Sequence, residues 1–349
     1  MVKKTLSVVI PVFNAEKYIC HCLDALLNQT YQELEIIVVD DGSTDNTVGV
    51  IQSYAEKDFR VKVYSHTNKG VSSTRNEGME YATGDYIFFC DADDYPEPDL
   101  VERYVLALNE WENNEISFIC CGMFFDNLYN KNVKNKKHLL EAAYGFVEGE
   151  NYILSRASAA TLAWLKLFNF VTNKCYDLNF IKENNIRFDK DTNIGEDLRF
   201  NLDYLDKCLG NIGFINKCLY HYVKRTGESL SISYHKNDLE DTKCIYRRFV
   251  NWIVAQPGVT KENIMVVKGI YINDWVSRLT SMYEACLKKI APSNTKKKLT
   301  RELKSKEFQT MLKEIYSAKK ISTLRYVCLR TGIFQIFYFF RGIYQLMKG

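Results

Sequence analysis

Three clusters of acidic residues define the chemistry open to this chain. Asp91-Ala92-Asp93-Asp94 closes the apolar run Tyr86 to Cys90, and carboxylates this close repel one another unless a cation or hydrogen bonds offset the repulsion. Hard oxygens suit Mg2+ or Mn2+, which take one or two protein carboxylates and complete their shell with phosphate oxygens and water. The plainer alternative is an acidic loop that caps the next helix through Asp94 or Asp99. A second pair, Asp40-Asp41, closes the run Glu35 to Val39. Capping one helix does not account for both clusters. Asp41 has the lone pairs to accept from a ribose or a base N–H, or it is simply the turn residue before Gly42. In Gly195-Glu196-Asp197, two carboxylates open a helical segment. There the helix dipole favours the ionised form, which a general base must have; the same placement also serves as plain favourable electrostatics. Arg75, in another helical segment, faces either a base or phosphate, or solvent.

The elements that hold these clusters follow from hydrophobic periodicity. Leu6 to Val12 is continuously apolar, as in a strand buried on both faces, and Asn14 is placed to cap the helix carrying Ile19, Cys22, Leu23, Leu26 and Leu27. After the strand Glu35 to Val39, a helix is expected from Thr44, then a strand over Val61 to Ser65, a loop at Asn68-Lys69-Gly70, and a helix through Arg75, Met79 and Ala82 that stops at Gly84. Strands at Tyr86 to Cys90 and Ile116 to Met123 follow, separated by a helix whose first turn holds Pro98 and Asp99. Alternating strands and helices imply an α/β fold, with a mostly parallel sheet covered by helices and ligands at the carboxyl ends of the strands. Pro11 to Asn14, Asp40 to Ser43 and Asp91 to Asp94 then share one rim. Asn127 to His138 reads as an exposed loop, Leu198, Leu202 and Leu205 as one helix face, Gly213 to Tyr222 as a further strand, and everything from about 237 onward as helix.

Composition narrows the field. Of 349 residues, 46% are hydrophobic, 26% are charged and five are proline, so the chain folds; the net charge of +3 gives no reason to expect a nucleic-acid partner. Eleven cysteines form no C-x-x-C pair, and MVKKTLSVVIPVFN has too short an apolar stretch for a signal peptide. A cytoplasmic location is expected. No run approaches the roughly 20 apolar residues that span a bilayer, so any membrane contact is peripheral, on the inner face.

The segments VVIPVFNAEKYI, IIVVDDGSTDNT, NKGVSSTRNEGMEYATGDYIFFCDADD and IGEDLRF, in this order, resemble the family 2 glycosyltransferases of the GT-A fold. The first three cover roughly residues 5 to 98, and the fourth extends the likeness to about 205. The resemblance implies that Pro11, Val12, Phe13 and Asn14 line a nucleotide-sugar pocket together with Asn68, Lys69, Gly70 and Ala92. In it Asp41 bonds the uracil, with Arg75 close by, and Asp91 approaches the ribose. Asp93 holds Mn2+ or Mg2+ on the diphosphate, Asp197 is the base that takes the acceptor proton, and Glu196 supports acceptor binding. It also implies inversion at the anomeric carbon of a UDP-sugar. The acceptor would be a hydroxyl of a glycan or a lipid-linked oligosaccharide, as in building capsule or O-antigen. Without a Q-x-x-R-W signature or membrane spans, a single addition is expected rather than processive synthesis. His221 and His235 are weaker candidates for metal or phosphate contact, and Arg225, Ser229 and Ser231 for closure over the diphosphate.

The expected organisation is a GT-A domain over residues 1–236, nucleotide-binding to about 125 and acceptor-binding beyond, followed by a helical region over 237–349. That region carries Lys296-Lys297-Lys298 and an aromatic tail from Ile333 to Met347 with Phe334, Phe337, Tyr338, Phe339, Phe340 and Tyr344. Basic and aromatic helices of this kind lie in a membrane interface; the alternative is packing on the catalytic domain or on a second subunit in a homodimer. Two other readings of the chain remain: a nucleotide-sugar-binding protein without catalysis, and a metal-dependent nucleotidyltransferase, for which no glycine-rich triphosphate loop is present.

Overall fold

The computed structural model describes residues 3–127, 136–140, 145–192, 194–225, 237–290, 295–333 and 335–338. His235, Ser229, Ser231, Phe334, Phe339, Phe340 and Tyr344, all singled out above, lie outside them. The chain divides into two units, 1–226 and 227–349.

The first unit is a mixed α/β structure. It opens with β1 (Leu6–Val12), α1 (Ile19–Leu27), β2 (Leu34–Asp40), α2 (Thr47–Ala55), β3 (Val61–Ser65), α3 (Val71–Tyr81) and β4 (Tyr86–Phe89). All seven residues of β2 and nearly all of β1 are buried, as expected of strands covered on both faces. β1 pairs in parallel with β2, Leu6 opposite Leu34 and Val12 opposite Asp40, and with β4, Leu6 opposite Tyr86. The chain continues through β5 (Tyr95–Pro96), α4 (Leu100–Glu110), β6 (Ile116–Asn127), β7 (Lys136–His138), β8 (Asn151–Leu154), α5 (Ala159–Trp164), β9 (Lys174–Asp177), α6 (Leu178–Glu183), α7 (Glu196–Lys207) and β10 (Asn211–Lys224). The sheet order is β3-β2-β1-β4-β9-β6-β10-β5, with β7 beside β6 and β8 beside β10. Because β9 is antiparallel to both β4 and β6, while β10 is parallel to β6, the strands β3, β2, β1, β4, β6 and β10 all run the same way. The mostly parallel sheet expected from the sequence is present, with one reversed strand inside it.

Two local expectations differ from what forms. Asn14 does not cap α1, which starts five residues later at Ile19; its side chain accepts from the Thr44 N–H at 2.8 Å, and its own N–H donates to Ser43 Oγ at 2.9 Å. With φ at 49°, Asn14 takes the left-handed conformation that asparagine tolerates, and so ties the loop after β1 to the loop after β2. The following helix begins at Thr47 rather than Thr44, because Thr44 is held by Asn14 and the Asp45 carboxylate accepts from the Thr47 N–H.

The second unit is helical: α8 (Asp238–Val254), α9 (Lys261–Leu287), α10 (Thr295–Leu303), α11 (Lys306–Ser317) and α12 (Thr323–Arg330). A Thr260/Asn263 capping box opens α9, and the fully buried Tyr271 and Trp275 of α9 meet Tyr246 of α8 and Phe308 of α11. In the described part of the aromatic tail, Phe337 is buried and Tyr338 lies 4.9 Å from Tyr283 of the same unit. Among the described residues no helix is long and apolar enough to cross a membrane.

Candidate active site

The rim where β1, β2 and β4 end is assembled by backbone-directed hydrogen bonds. Asp41 accepts from the N–H groups of Lys69 at 2.6 Å and Gly70 at 3.0 Å, so its carboxylate shapes the loop Asn68 to Gly70, whose residues are exposed. Gly42, at φ 77°, lets this loop approach: a Cβ there would lie 2.8 Å from the Asn68 nitrogen. Pro11 is half-buried and Val12 buried, while Phe13 is half exposed at the mouth. Lys69 turns its ammonium to Glu77, 2.8 Å away.

The acidic cluster after β4 resolves into three different environments. Asp91 accepts from Arg75 Nη2 at 2.9 Å, and its backbone N–H donates to the Tyr220 hydroxyl. Asp94 is buried and structural, accepting from that hydroxyl at 2.9 Å and from the Val223 N–H at 2.8 Å; burial, together with Asp91 and Asp93, pushes its carboxyl well above the usual range. Asp93 is the outward member, its side chain 46% exposed and paired with Arg225 at 2.8 Å. Burial and the Asp91 charge raise its carboxyl too. The repulsion expected from the sequence is therefore only partly met by Arg75, Arg225 and hydrogen bonds. Ala92 is buried between these carboxylates.

Asp197, at the start of α7, comes to this rim from 122 residues away. Arg75 Nη1 donates to its Oδ1 at 2.8 Å, and the Val171 N–H donates to its Oδ2 at 3.2 Å. Arg75 is thus a buried bridge between Asp91 and Asp197, with Glu196 Oε1 at 3.9 Å and the Phe188 ring beneath it. It is no solvated helix residue, being 4% exposed and paired with both carboxylates. The cause is simple: two recessed carboxylates need a counter-charge, and a guanidinium fork serves both. Burial raises the Asp197 carboxyl above its usual range while Arg75 opposes the rise. Glu196 is pushed up to about 7 by burial and by the Asp197 charge.

His221 is committed elsewhere, with Nδ1 2.8 Å from Asp126, Nε2 2.7 Å from Glu97, and its ring stacked between Tyr95 and Phe124. Of the contacts at Asp197, the Val171 N–H escapes sequence reasoning altogether, since a backbone donor has no residue-type signature. The Tyr220 hydroxyl is equally invisible within an apolar strand pattern.

As for a divalent ion, the residues fit one. Asp93 is accessible and lies beside the Asp91 charge, which raises its carboxyl and which a cation would offset. Among the described residues no three His, Cys, Asp or Glu side chains converge as an all-protein cage, so an ion there would draw the rest of its oxygens from a diphosphate and water.

Residues 7–176 match the model of glycosyl transferase family 2. The chain is 30% identical over 230 residues to the uncharacterized glycosyltransferase EpsJ of Bacillus subtilis, a stretch that is 66% of this chain and 64% of that one. It spans less than two thirds of the first curated relatives it matches. Among solved structures, TarS 1-349 of S. aureus in complex with UDP-GlcNAc superposes with a TM-score of 0.65 at 20% identity, over 95% of this chain and 89% of that one. The mannosyltransferase PcManGT of Pyrobaculum calidifontis, in complex with GDP-Man and Mn2+, superposes with a TM-score of 0.50 at 15% identity, over 91% and 86%. The GT-A-like fold follows from these superpositions, and the four ordered motifs lie in or just beyond the matched stretch. Residues 7–176 are thus a glycosyl transferase family 2 domain.

Proposed function

We propose that this protein is an inverting glycosyltransferase that moves one hexose or N-acetylhexosamine from a UDP-sugar to a hydroxyl of a glycan or a lipid-linked oligosaccharide. The observation that carries the reading is the Arg75 bridge, which holds a donor-side carboxylate, Asp91, and a recessed carboxylate, Asp197, on either side of one cation. Asp197 removes the proton from the acceptor hydroxyl, whose oxygen bonds to the anomeric carbon while the bond from that carbon to the diphosphate oxygen breaks. UDP leaves with the electron pair, and an α-linked donor gives a β-glycoside. Glu196 lies on the acceptor side. Pro11 to Asn14, Asp41, Asn68 to Gly70 and Ala92 wall the nucleotide.

Asp93 would hold Mn2+ or Mg2+, and such an ion supplies charge stabilisation to the departing diphosphate. Arg75 opposes the rise that burial imposes on the Asp197 carboxyl and so favours its ionised form. The UDP-GlcNAc complex of TarS and the Mn2+ complex of PcManGT support donor class and metal by analogy of fold. The exposed lysines of α10 favour work at the inner membrane surface, where a lipid-linked acceptor sits, whereas Phe337 and Tyr338 of the tail pack within the second unit.

The test is UDP release by the purified protein across UDP-glucose, UDP-galactose and their N-acetyl forms, with Mn2+, Mg2+ or EDTA. Metal-dependent release from one of them is expected. Tight binding without release would leave a nucleotide-sugar-binding protein, and neither binding nor release would remove the UDP-sugar reading.

A further inference from the structure

Beneath the proposed base lies a group that the mechanism leaves unused. Lys174, the first residue of β9, is fully buried and touches no carboxylate within ion-pair distance among the described residues. Its Nζ donates to the carbonyls of Leu167, at 2.8 Å, and Phe170, and to Asn173 Oδ1 at 2.9 Å. Three acceptors match the three N–H donors of an ammonium, although burial lowers its pKa from the ordinary value. Phe118 and Phe168 lie 5.8 and 5.9 Å from it. A buried charge without a carboxylate partner is costly, and nothing in sheet formation calls for one at this place.

Two further buried side chains grip the same turn. Asn173 Nδ2 donates to the carbonyls of Leu167 at 3.1 Å and Cys121 at 2.8 Å. Asn201, one turn after Asp197 in α7, donates to the carbonyls of Phe168 at 2.7 Å and Phe170 at 3.1 Å. Carbonyls 167, 168 and 170 are therefore all tied down from within, and the residue that follows them, Val171, sends its N–H to Asp197 Oδ2. From this arrangement we infer that Lys174, with Asn173 and Asn201, is a positioning device for the base. It clamps the turn 167–171 so that the Val171 N–H holds Asp197 Oδ2 while Arg75 holds Oδ1.

The inference rests on Asp197 being the base. The titratable and charged groups that face Asp197 are Arg75 from α3, Asp91 from the end of β4, its neighbour Glu196, Lys174 and Tyr176 from β9, and Tyr222 from β10. Lys174 itself also faces the thiols of Cys120 and Cys121 in β6. Removing the ammonium takes away a positive charge and loosens the N–H donor, and both changes favour protonated Asp197. The acid limb of the rate profile should then move to higher pH.

The experiment compares Lys174→Met with Asp197→Asn and the unaltered protein, using metal-dependent UDP release from UDP-N-acetylglucosamine between pH 5 and 9. The expected result for Lys174→Met is a kcat roughly 10- to 100-fold lower, the scale of a misplaced catalytic group. Its KM for the donor should be unchanged within about twofold, with an acid limb displaced upward. Asp197→Asn inactive, together with Lys174→Met at the normal kcat and pH profile, overturns the positioning role alone; Asp197→Asn fully active overturns the base and the positioning role with it. Should Lys174→Met not fold, amide exchange of the unaltered protein decides. Val171 should exchange as slowly as the amides of β9, and exchange at the rate of an open loop would overturn the clamp.

Discussion

At the scale of single residues, the site is a contest between burial and Arg75 over the protonation of Asp197. Its carboxyl is raised above the usual aspartate range, so the ionised base is lost as pH falls through that raised value, and is fully present only above it. The acid limb of kcat should accordingly lie above about 4, where an ordinary aspartate would put it, as a rate profile at saturating donor will show. Asp197→Asn keeps shape and the Val171 contact but cannot take a proton; transfer should fall by a factor of 100 or more, on the order found for lost general bases, with UDP affinity retained in a thermal-shift titration. Asp93→Ala should instead weaken UDP binding only when Mn2+ is present, and equal binding with Mn2+ and EDTA in the unaltered protein would remove Asp93 from a metal role. Asp91, Asp93, Glu196 and Asp197 can all be named from the sequence because carboxylates at strand ends and helix starts are conspicuous. What the sequence hides is partnership. Arg75 reads as facing a base or phosphate, or solvent, and its place between Asp91 and Asp197 shows only in the structure; Lys174 sits in TNKCYDL with no pattern that marks it as buried.

At the scale of elements, α3 carries the bridge and must lie close to the sheet. Gly78 makes this approach feasible: a Cβ there would sit 2.3 Å from Val9 Cγ1. Gly78→Ala gains helix propensity but overpacks the α3 to β1 contact, at a net cost of about 1–3 kcal/mol. It should lower Tm and, by shifting Arg75, lower kcat more than donor KM; an unchanged Tm would mean the helix can slide. The strands β1, β2 and β4 are legible because their residues face helices on both sides and so are continuously apolar. By contrast, β5 has only two residues, and β9 has a lysine and an aspartate in four. Neither contains enough residues for a period to show, and their pairing is imposed by neighbours distant in sequence. Asn14 illustrates another limit: asparagine before a helical pattern signals a cap, but here a long-range contact to Thr44 wins.

At the scale of the whole molecule, all the proposed nucleotide contacts fall in the first unit, while the second has its own aromatic core around Trp275. A ligand that binds only the folded site adds to the opening free energy of the structure that holds it, about 2.7 kcal/mol at a hundredfold excess over Kd. UDP with Mn2+ should therefore slow amide exchange in β1, β2 and β4, read residue by residue; exchange in these strands that ignores UDP would place the nucleotide elsewhere.

The reversed direction of β9 has one more consequence. Six strands deliver their last residues to the rim, but β9 delivers its first, and with it the turn that precedes it. The chain segments that meet at the rim thus travel in opposite senses, held together by sheet hydrogen bonds, the shared Arg75 guanidinium and the paired hydrogen bonds between Asn76 and the Phe188 backbone. A change in the length of the segment entering β9 would therefore move the Val171 N–H away from Asp197 while leaving the parallel strand ends where they are.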